Sequence, residues 1–292
     1  MIVVTGATGS IGRSLVAELQ AAGAPLRAMV RDVAAARSLG AELVHGDFDQ
    51  PETLRAAFAG AEQLFLNAGG AEAVEGPQPM IRQQVAAIDA ARAEGIQHVV
   101  KVSVHRAAPG RPLAEGAHAE IEQYLHGSGM DVTLLRPNGF MQNFISGVAG
   151  FTPEGALLDV YGGARVSYID AADIAACAAA VLCQAAGRGS THILTGPEAL
   201  TTADVAARIA AVVARRVPVV EVEPAALRSS LINSGLPTTF ADDLAALCAE
   251  VATGALETTT DAVAALTGRA PNTFLRFAAL NAAALSRAVS GH

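Results

Sequence analysis

Short runs of β-branched and aliphatic residues alternate with longer helical periodicities through the first half of the chain. The strands this pattern predicts are Ile2–Thr5, Leu26–Val30, Glu42–Val44, Gln63–Asn67, His98–Ser103 and Asp131–Leu135. Between them, apolar residues recur at helical spacing over Ser10–Ala22, Pro51–Phe58, Pro79–Glu94 and Glu115–His126. Strands separated by helices pair in parallel, because the crossover returns each strand to the same end of the sheet. The pattern therefore predicts an α/β fold, a doubly wound parallel sheet with helices on both faces. Val99-Val100 and Thr133-Leu134-Leu135 are apolar or β-branched at successive positions, as strands covered on both faces are.

After Arg136-Pro137 the regularity fades. A helix over Ala171–Cys183 and a strand over His192–Thr195 are expected to complete the sheet layer. From Thr201 onward helices dominate: Asp204–Val213, Pro224–Ser234, Pro237–Ala252, Thr260–Leu266 and a last helix from Thr273, with one strand-like run at Val219–Val222. The expected division is a dinucleotide-binding unit over residues 1–150 and a mixed region over 151–292. In the latter, residues 165–196 rejoin the sheet and the remainder forms a smaller, mostly helical substrate lobe.

The first strand runs directly into Thr5-Gly6-Ala7-Thr8-Gly9-Ser10-Ile11-Gly12. Gly6 allows a tight turn, Gly9 lets backbone approach a pyrophosphate, and Gly12 lets the helix pack close to the strand. The amides around Gly6, Thr8, Gly9, Ser10 and Ile11 then face the phosphates at a helix N-terminus. This is a Rossmann-type signature, and its Gly-x-x-Gly-x-x-Gly spacing resembles the short-chain dehydrogenase/reductase group. At the end of the second strand an acidic residue suits the ribose hydroxyl of NAD, and an arginine suits the phosphate of NADP. Here Arg31 comes first and Asp32 second, which favours NADPH over NADH, with Asp32 as a cap for the next segment. Asp47 and Phe48 after the third strand are expected to flank the adenine. Asn67 and Ala68, at the carboxyl edge of the fourth strand, are expected to line the cofactor ribose.

Composition narrows the partners. Hydrophobic residues make up 51% of the 292 residues, enough for a large core, and the net charge is −8. That acid excess argues against nucleic acid, which needs a basic face. Apolar stretches such as Ala171 to Ala186 are interrupted by Asp173 and Gln184, which argues against a membrane span. The sequence moves straight from Met1 into a strand, without a basic segment and a signal-type apolar run, so a cytoplasmic protein is expected. Cys177, Cys183 and Cys248 form no metal-ligand spacing and read as small core residues; no metal is expected. Lys101 is the only lysine.

That last count bears on catalysis. Many enzymes with this glycine spacing use Tyr-x-x-x-Lys, in which the lysine lowers the pKa of a proton-donating tyrosine. The tyrosines here are Tyr124, Tyr161 and Tyr168, followed four places on by Ser128, Arg165 and Ala172. The pair is absent. The equivalent helix carries His118 and Glu122, which share one helical face, so His118 is the candidate proton donor with Glu122 stabilising its charged form. Ser103, at the end of the fifth strand, could polarise an acceptor or hold a water. Asp170 and Asp173 read as the cap and first turn of the following helix.

The chain resembles the NmrA-like, atypical short-chain reductases over nearly its whole length, and within them bacterial NAD(P)H:quinone oxidoreductase and triphenylmethane reductase types. The carrying segments are Thr-Gly-Ala-Thr-Gly at 5–9, Met-Val-Arg-Asp at 29–32, Gly-Asp-Phe-Asp-Gln-Pro-Glu-Thr-Leu at 46–54 and Val-Val-Lys-Val-Ser at 99–103. They continue with His-Ala-Glu-Ile-Glu at 118–122, Leu-Leu-Arg-Pro-Asn-Gly-Phe-Met-Gln-Asn at 134–143, Tyr-Ile-Asp-Ala-Ala-Asp-Ile-Ala at 168–175 and Leu-Thr-Gly-Pro-Glu-Ala-Leu-Thr at 194–201. The resemblance implies that Arg136, Pro137 and Asn138 sit beside the nicotinamide, and that Phe140, Met141 and Phe144 wall the substrate pocket.

The leading expectation is a reductase moving hydride from NADPH to a small conjugated or aromatic acceptor, a quinone, polycyclic ketone or dye. Such acceptors delocalise the incoming charge and need less help from a strong general acid, so orientation carries most of the catalysis. His118, or water held by Asn138 or Ser103, would deliver the proton. Two other readings stay open. One is a non-catalytic NADP(H) sensor, which an exposed apolar patch in place of a closed pocket near Asn138 would favour. The other is a biosynthetic ketoreductase. Homodimerisation is left open.

Overall fold

The computed structural model describes residues 1–290. Its first part runs β1 (Ile2–Val4), α1 (Ser10–Ala21), β2 (Leu26–Val30), β3 (Glu42–His45), α2 (Glu52–Phe58), β4 (Gln63–Leu66) and α3 (Pro79–Ala93). It continues through β5 (His98–Val102), α4 (Leu113–His126), β6 (Asp131–Pro137), β7 (Leu157–Asp159), α5 (Ala171–Gln184) and β8 (Thr191–Leu194). The remainder is α6 (Thr202–Val213), β9 (Val219–Glu221), α7 (Pro224–Asn233), α8 (Thr238–Val251), α9 (Ala262–Thr267), α10 (Phe274–Leu280) and α11 (Ala282–Ser290).

Seven strands form one sheet in the order β3-β2-β1-β4-β5-β6-β8. Every pairing in it is parallel. Alternation along the strands divides the apolar residues between two layers. Ile2 and Val4 join Ile11, Leu15 and Leu19 of α1 and Ile174 and Val181 of α5 on one face. Val3, Leu64, Leu66 and Val99 join Phe58, Ile88 and Ile121 on the other. The order reverses between β1 and β4, and ligands of open parallel sheets dock in the crevice at such a switch point.

The C-terminal segments build a third cluster around Phe144, Tyr168, Phe274, Phe277 and Leu285. Phe144 meets Tyr168 and Phe274 edge-on, with ring centroids 5.1 and 5.2 Å apart. Asp170 caps α5 by accepting the Ala172 amide at 3.0 Å, and Asp173 accepts the Asn272 amide at 2.7 Å, so both serve structure. Two local differences from the sequence pattern stand out. β7, three residues too brief to show a periodicity, lies outside the predicted strands and pairs in parallel with the predicted run at Val219, which forms β9. The last helix is interrupted at Asn281, whose amide bonds back to Phe277 and Ala278 before α11 begins. Cys177 and Cys248 are buried, but Cys183 is exposed at the last turn of α5 and is not a core residue. Among the described residues no helix is long and apolar enough to cross a membrane.

One buried group ties stability to pH. The His98 ring lies wholly inside, between Gln63 Oε1 at 3.0 Å and Thr133 Oγ1 at 2.9 Å. Burial, then the nearby Arg188 charge, lowers its pKa to about 4. The unfolded chain binds this proton below the ordinary histidine value and the folded chain does not, so stability is lost as pH falls from about 6.5 toward 4. His98→Gln is expected to flatten that part of the stability–pH curve in urea unfolding. An unchanged slope would show that His98 titrates normally.

Candidate active site

The turn after β1 is built as the crevice requires. Gly6 has φ +61°, and a Cβ there would approach the Asn67 carbonyl oxygen to 2.9 Å. A Cβ on Gly12 would come within 2.2 Å of the Gly6 carbonyl oxygen. Gly9 is the N-cap of α1, with no side-chain cap and no acidic residue in the first turn. The amides that open α1 thus lack a capping side chain and present partial positive charge. A Cβ at Gly9 would meet only the Gly6 oxygen, at 3.3 Å, so the space before the turn admits a ligand. Thr8, Gly9 and Ser10 are exposed there, whereas the Ile11 side chain belongs to the core and only its backbone can face the ligand. Arg13 Nε donates to the Thr8 carbonyl at 2.8 Å, a cation beside the turn that the glycine pattern did not reveal.

Along the same edge, Arg31 is exposed and its carbonyl lies 3.1 Å from His45 Nδ1. Asp32 accepts the Ala34 and Ala35 amides at 2.8 and 3.0 Å, so its carboxylate is engaged by its own turn. Asp47 accepts the Asp49 amide at 3.0 Å, and Phe48 packs partly buried on the sheet. The Asn67 amide donates to Thr5 Oγ1 at 2.9 Å, tying the ends of β1 and β4 together; Ala68 follows, half-buried. These groups fit a dinucleotide: open helix amides for its phosphates, and an exposed guanidinium for a ribose phosphate.

Beyond the switch point, at the carboxyl ends of β5 and β6, lies a cavity of about 260 Å³. Its wall includes His105, Arg106, Pro137, Asn138, Phe140 and Tyr161. The β5–α4 loop crosses α4 so closely that a Cβ on Gly116 would meet the Arg111 carbonyl oxygen at 2.0 Å. Charge holds the same loop to α8: Arg106 and Arg111 both bond Glu250, and Arg111 also bonds Glu115. His105 Nδ1 and Arg106 Nη1 are buried with no hydrogen-bond partner among the described residues. Burial, then Arg106, lowers the His105 pKa, so the ring is neutral near pH 7. A second cavity, of about 300 Å³, begins on the other side of Asn143 and Tyr161.

The residues expected to do chemistry are placed differently from their sequence reading. His118 does not pair with Glu122. Its Nδ1 accepts from Lys101 Nζ at 2.8 Å, and the ammonium also donates to the Val102 carbonyl at 3.0 Å. Burial and the Lys101 charge push the His118 pKa far down, while burial brings Lys101 to about 7. Glu122 instead accepts from the Ser103 hydroxyl and from Arg136. His118 and Ser103 therefore lie in a buried polar network beneath the strand edge, and neither lines the cavity. Helical spacing put His118 and Glu122 on one face but could not show that Lys101, one strand away, would claim the imidazole.

Asn138 does line the cavity, yet its Nδ2 donates to Ser167 Oγ at 2.7 Å and the Leu256 carbonyl at 2.9 Å. Its Oδ1 accepts the Gly139 amide at 2.8 Å, so the side chain braces the wall and is not free to hold a reacting water. Phe140 faces the first cavity and Phe144 the second. Met141 is fully buried in the C-terminal core and walls neither, because the short helical turn over residues 141–144 points it inward. His105 and Arg106 were not singled out from sequence. Their place just after a strand, at the ligand-binding edge, was the available signal. The Arg106 partner Glu250 is 144 residues away and gave none.

Comparison with known proteins agrees with this geometry. Residues 1–269 match the NmrA-like family. The chain is 35% identical to NAD(P)H azoreductase of Xenophilus azovorans, over 99% of this chain and all of that protein. It superposes on the NADPH-dependent quinone oxidoreductase of Escherichia coli complexed with NADPH, with TM-score 0.80 and 27% identity, covering 95% of this chain and 98% of that one. The triphenylmethane reductase of a Citrobacter species gives TM-score 0.80 at 26% identity, covering 96% and 98%. With the glycine turn, the sheet order and this full-length match together, the chain belongs to the NmrA-like family.

Proposed function

We propose that the protein is an NADPH-dependent reductase of a small conjugated or aromatic acceptor. The observation that carries this reading is the concave, mostly apolar cavity at the carboxyl ends of β5 and β6, with Arg106 and His105 in its wall. The relatives reported above are named for reducing azo, quinone and triphenylmethane compounds, all conjugated acceptors.

When bound, NADPH would supply a hydride; a quinone or ketone takes that hydride and one proton, a cationic dye the hydride alone. The chain's own residues do the rest. The open amides of α1 hold the pyrophosphate, and Arg31 holds the ribose phosphate as a charge-assisted hydrogen-bond donor. Asp47, Phe48, Asn67 and Ala68 bound the adenosine and ribose. Pro137, Asn138 and Phe140 hold the acceptor against the cofactor, which confers most of the rate through orientation. Negative charge on the reduced acceptor falls beside Arg106 and His105, where a fixed cation and a neutral imidazole stabilise it. His105, rather than His118, is the imidazole able to pass the proton. Lys101, His118, Glu122 and Arg136 position the β5–α4 loop from below.

The first test is anaerobic NADPH oxidation followed against a panel of quinones, aromatic ketones and azo and triphenylmethane dyes. Oxidation that requires both protein and acceptor is the expected result; tight NADPH binding without turnover across the panel would return the protein to the sensor reading. Arg31→Ala is expected to weaken NADPH roughly tenfold or more, the size of a hydrogen bond to a charged group, and to leave NADH unchanged; an unaltered preference would remove Arg31 from the cofactor site. His105→Gln is expected to lower kcat by about a hundredfold or more with NADPH affinity retained. Should kcat survive in that variant and fall in His118→Gln, the proton comes from below the strand edge.

A further inference from the structure

The second cavity has no part in holding the cofactor or the reducible group, yet it adjoins the first. Asn143 and Tyr161 line both and form the partition between them. The two spaces differ in chemistry: the first has His105, Arg106 and Glu115 in its wall, whereas among the described residues no charged side chain lines the second.

Its far wall is made by two helices. Leu227 and Leu231, one turn apart on α7, face Leu244 and Cys248, one turn apart on α8. α7 has no fully buried residue, so its apolar stripe reaches this space without closing on a core. At the mouth, Val148 is 71% exposed. Apolar stripes at helical spacing ordinarily interdigitate, since an unfilled space forfeits dispersion contacts on every wall. A space of about 300 Å³ held open between leucines is instead suited to a ligand.

We propose that this cavity is an annex of the acceptor site and takes an apolar alkyl or aryl arm attached to the reducible ring. The preferred acceptor is then amphiphilic, with a polar conjugated head against Arg106 and His105 and a hydrocarbon arm passing Asn143 and Tyr161 between α7 and α8. The assignment rests on the reductase reading for the head group alone; the annex is defined by its own walls.

The test compares menadione with homologues bearing alkyl chains of increasing length. The expected kcat/KM rises by up to about fourfold per added methylene and levels off when the annex is full. A kcat/KM that is flat or falls with chain length, in an enzyme that reduces menadione, overturns the proposal. Leu231→Trp and, separately, Leu244→Trp fill the space from opposite helices. Each is expected to collapse the ratio of alkylated to unalkylated kcat/KM to about one, and a ratio preserved in both folded variants overturns the proposal. Calorimetric binding of octanol separates the annex from the reaction. Should neither menadione nor any other acceptor of the panel be reduced, the reductase reading fails, while octanol binding weakened at least tenfold by either tryptophan still supports the annex; absence of octanol binding to the unmutated protein overturns it.

Discussion

The position of α1 depends on a contact that only hydrogen fits. Gly12 and Gly6 approach so closely that any Cβ on Gly12 would collide with the Gly6 carbonyl. That approach sets α1 tightly against the carboxyl end of β1 and leaves its first amides uncapped. It also lays Ile11, Leu15 and Leu19 against α5, so one contact joins the phosphate turn to the largest apolar layer. The crevice between β1 and β4 follows from it, because the strand order reverses there and Thr5 is tied to Asn67 across the gap.

The opposite end of the site is fixed by charge. Lys101 and Glu122 are buried, and isolated charges in such surroundings are costly unless partnered. Each is partnered by groups from a different element: Lys101 on β5 by His118 on α4, and Glu122 on α4 by Arg136 on β6. Removing one member would strand another, so the network holds β5, α4 and β6 in one register. The loop carrying His105 and Arg106 springs from that fixed base. Its outer side is tied through Glu250 to α8, which also forms a wall of both cavities.

The legibility of this molecule from sequence follows the range of the interactions. Strands β1 to β6 and their helices were readable because alternation, glycine turns and helical spacing are local. So was the glycine turn, whose residues are consecutive, and so was the cap that Asp32 makes for its own turn. The partners of His118, Ser103 and Asn138 were not readable, since each is chosen across strands or from the C-terminal lobe. Asn138 is held by Leu256, 118 residues away, and no spacing rule anticipates that. β7 escaped notice for the same reason, since a three-residue strand acquires its identity only from its partner β9.

The single lysine has a consequence for how this protein meets reagents. Lys101 is the only side-chain amine, and it is fully enclosed. Ester and aldehyde labels, crosslinkers and amine-coupled supports therefore find no lysine on the native surface, although arginines abound there. Acylation at Lys101 requires the sheet edge to part from α4. The extent of its modification is thus a chemical clock for opening of the fold, set in the one layer that the loop carrying His105 and Arg106 stands on.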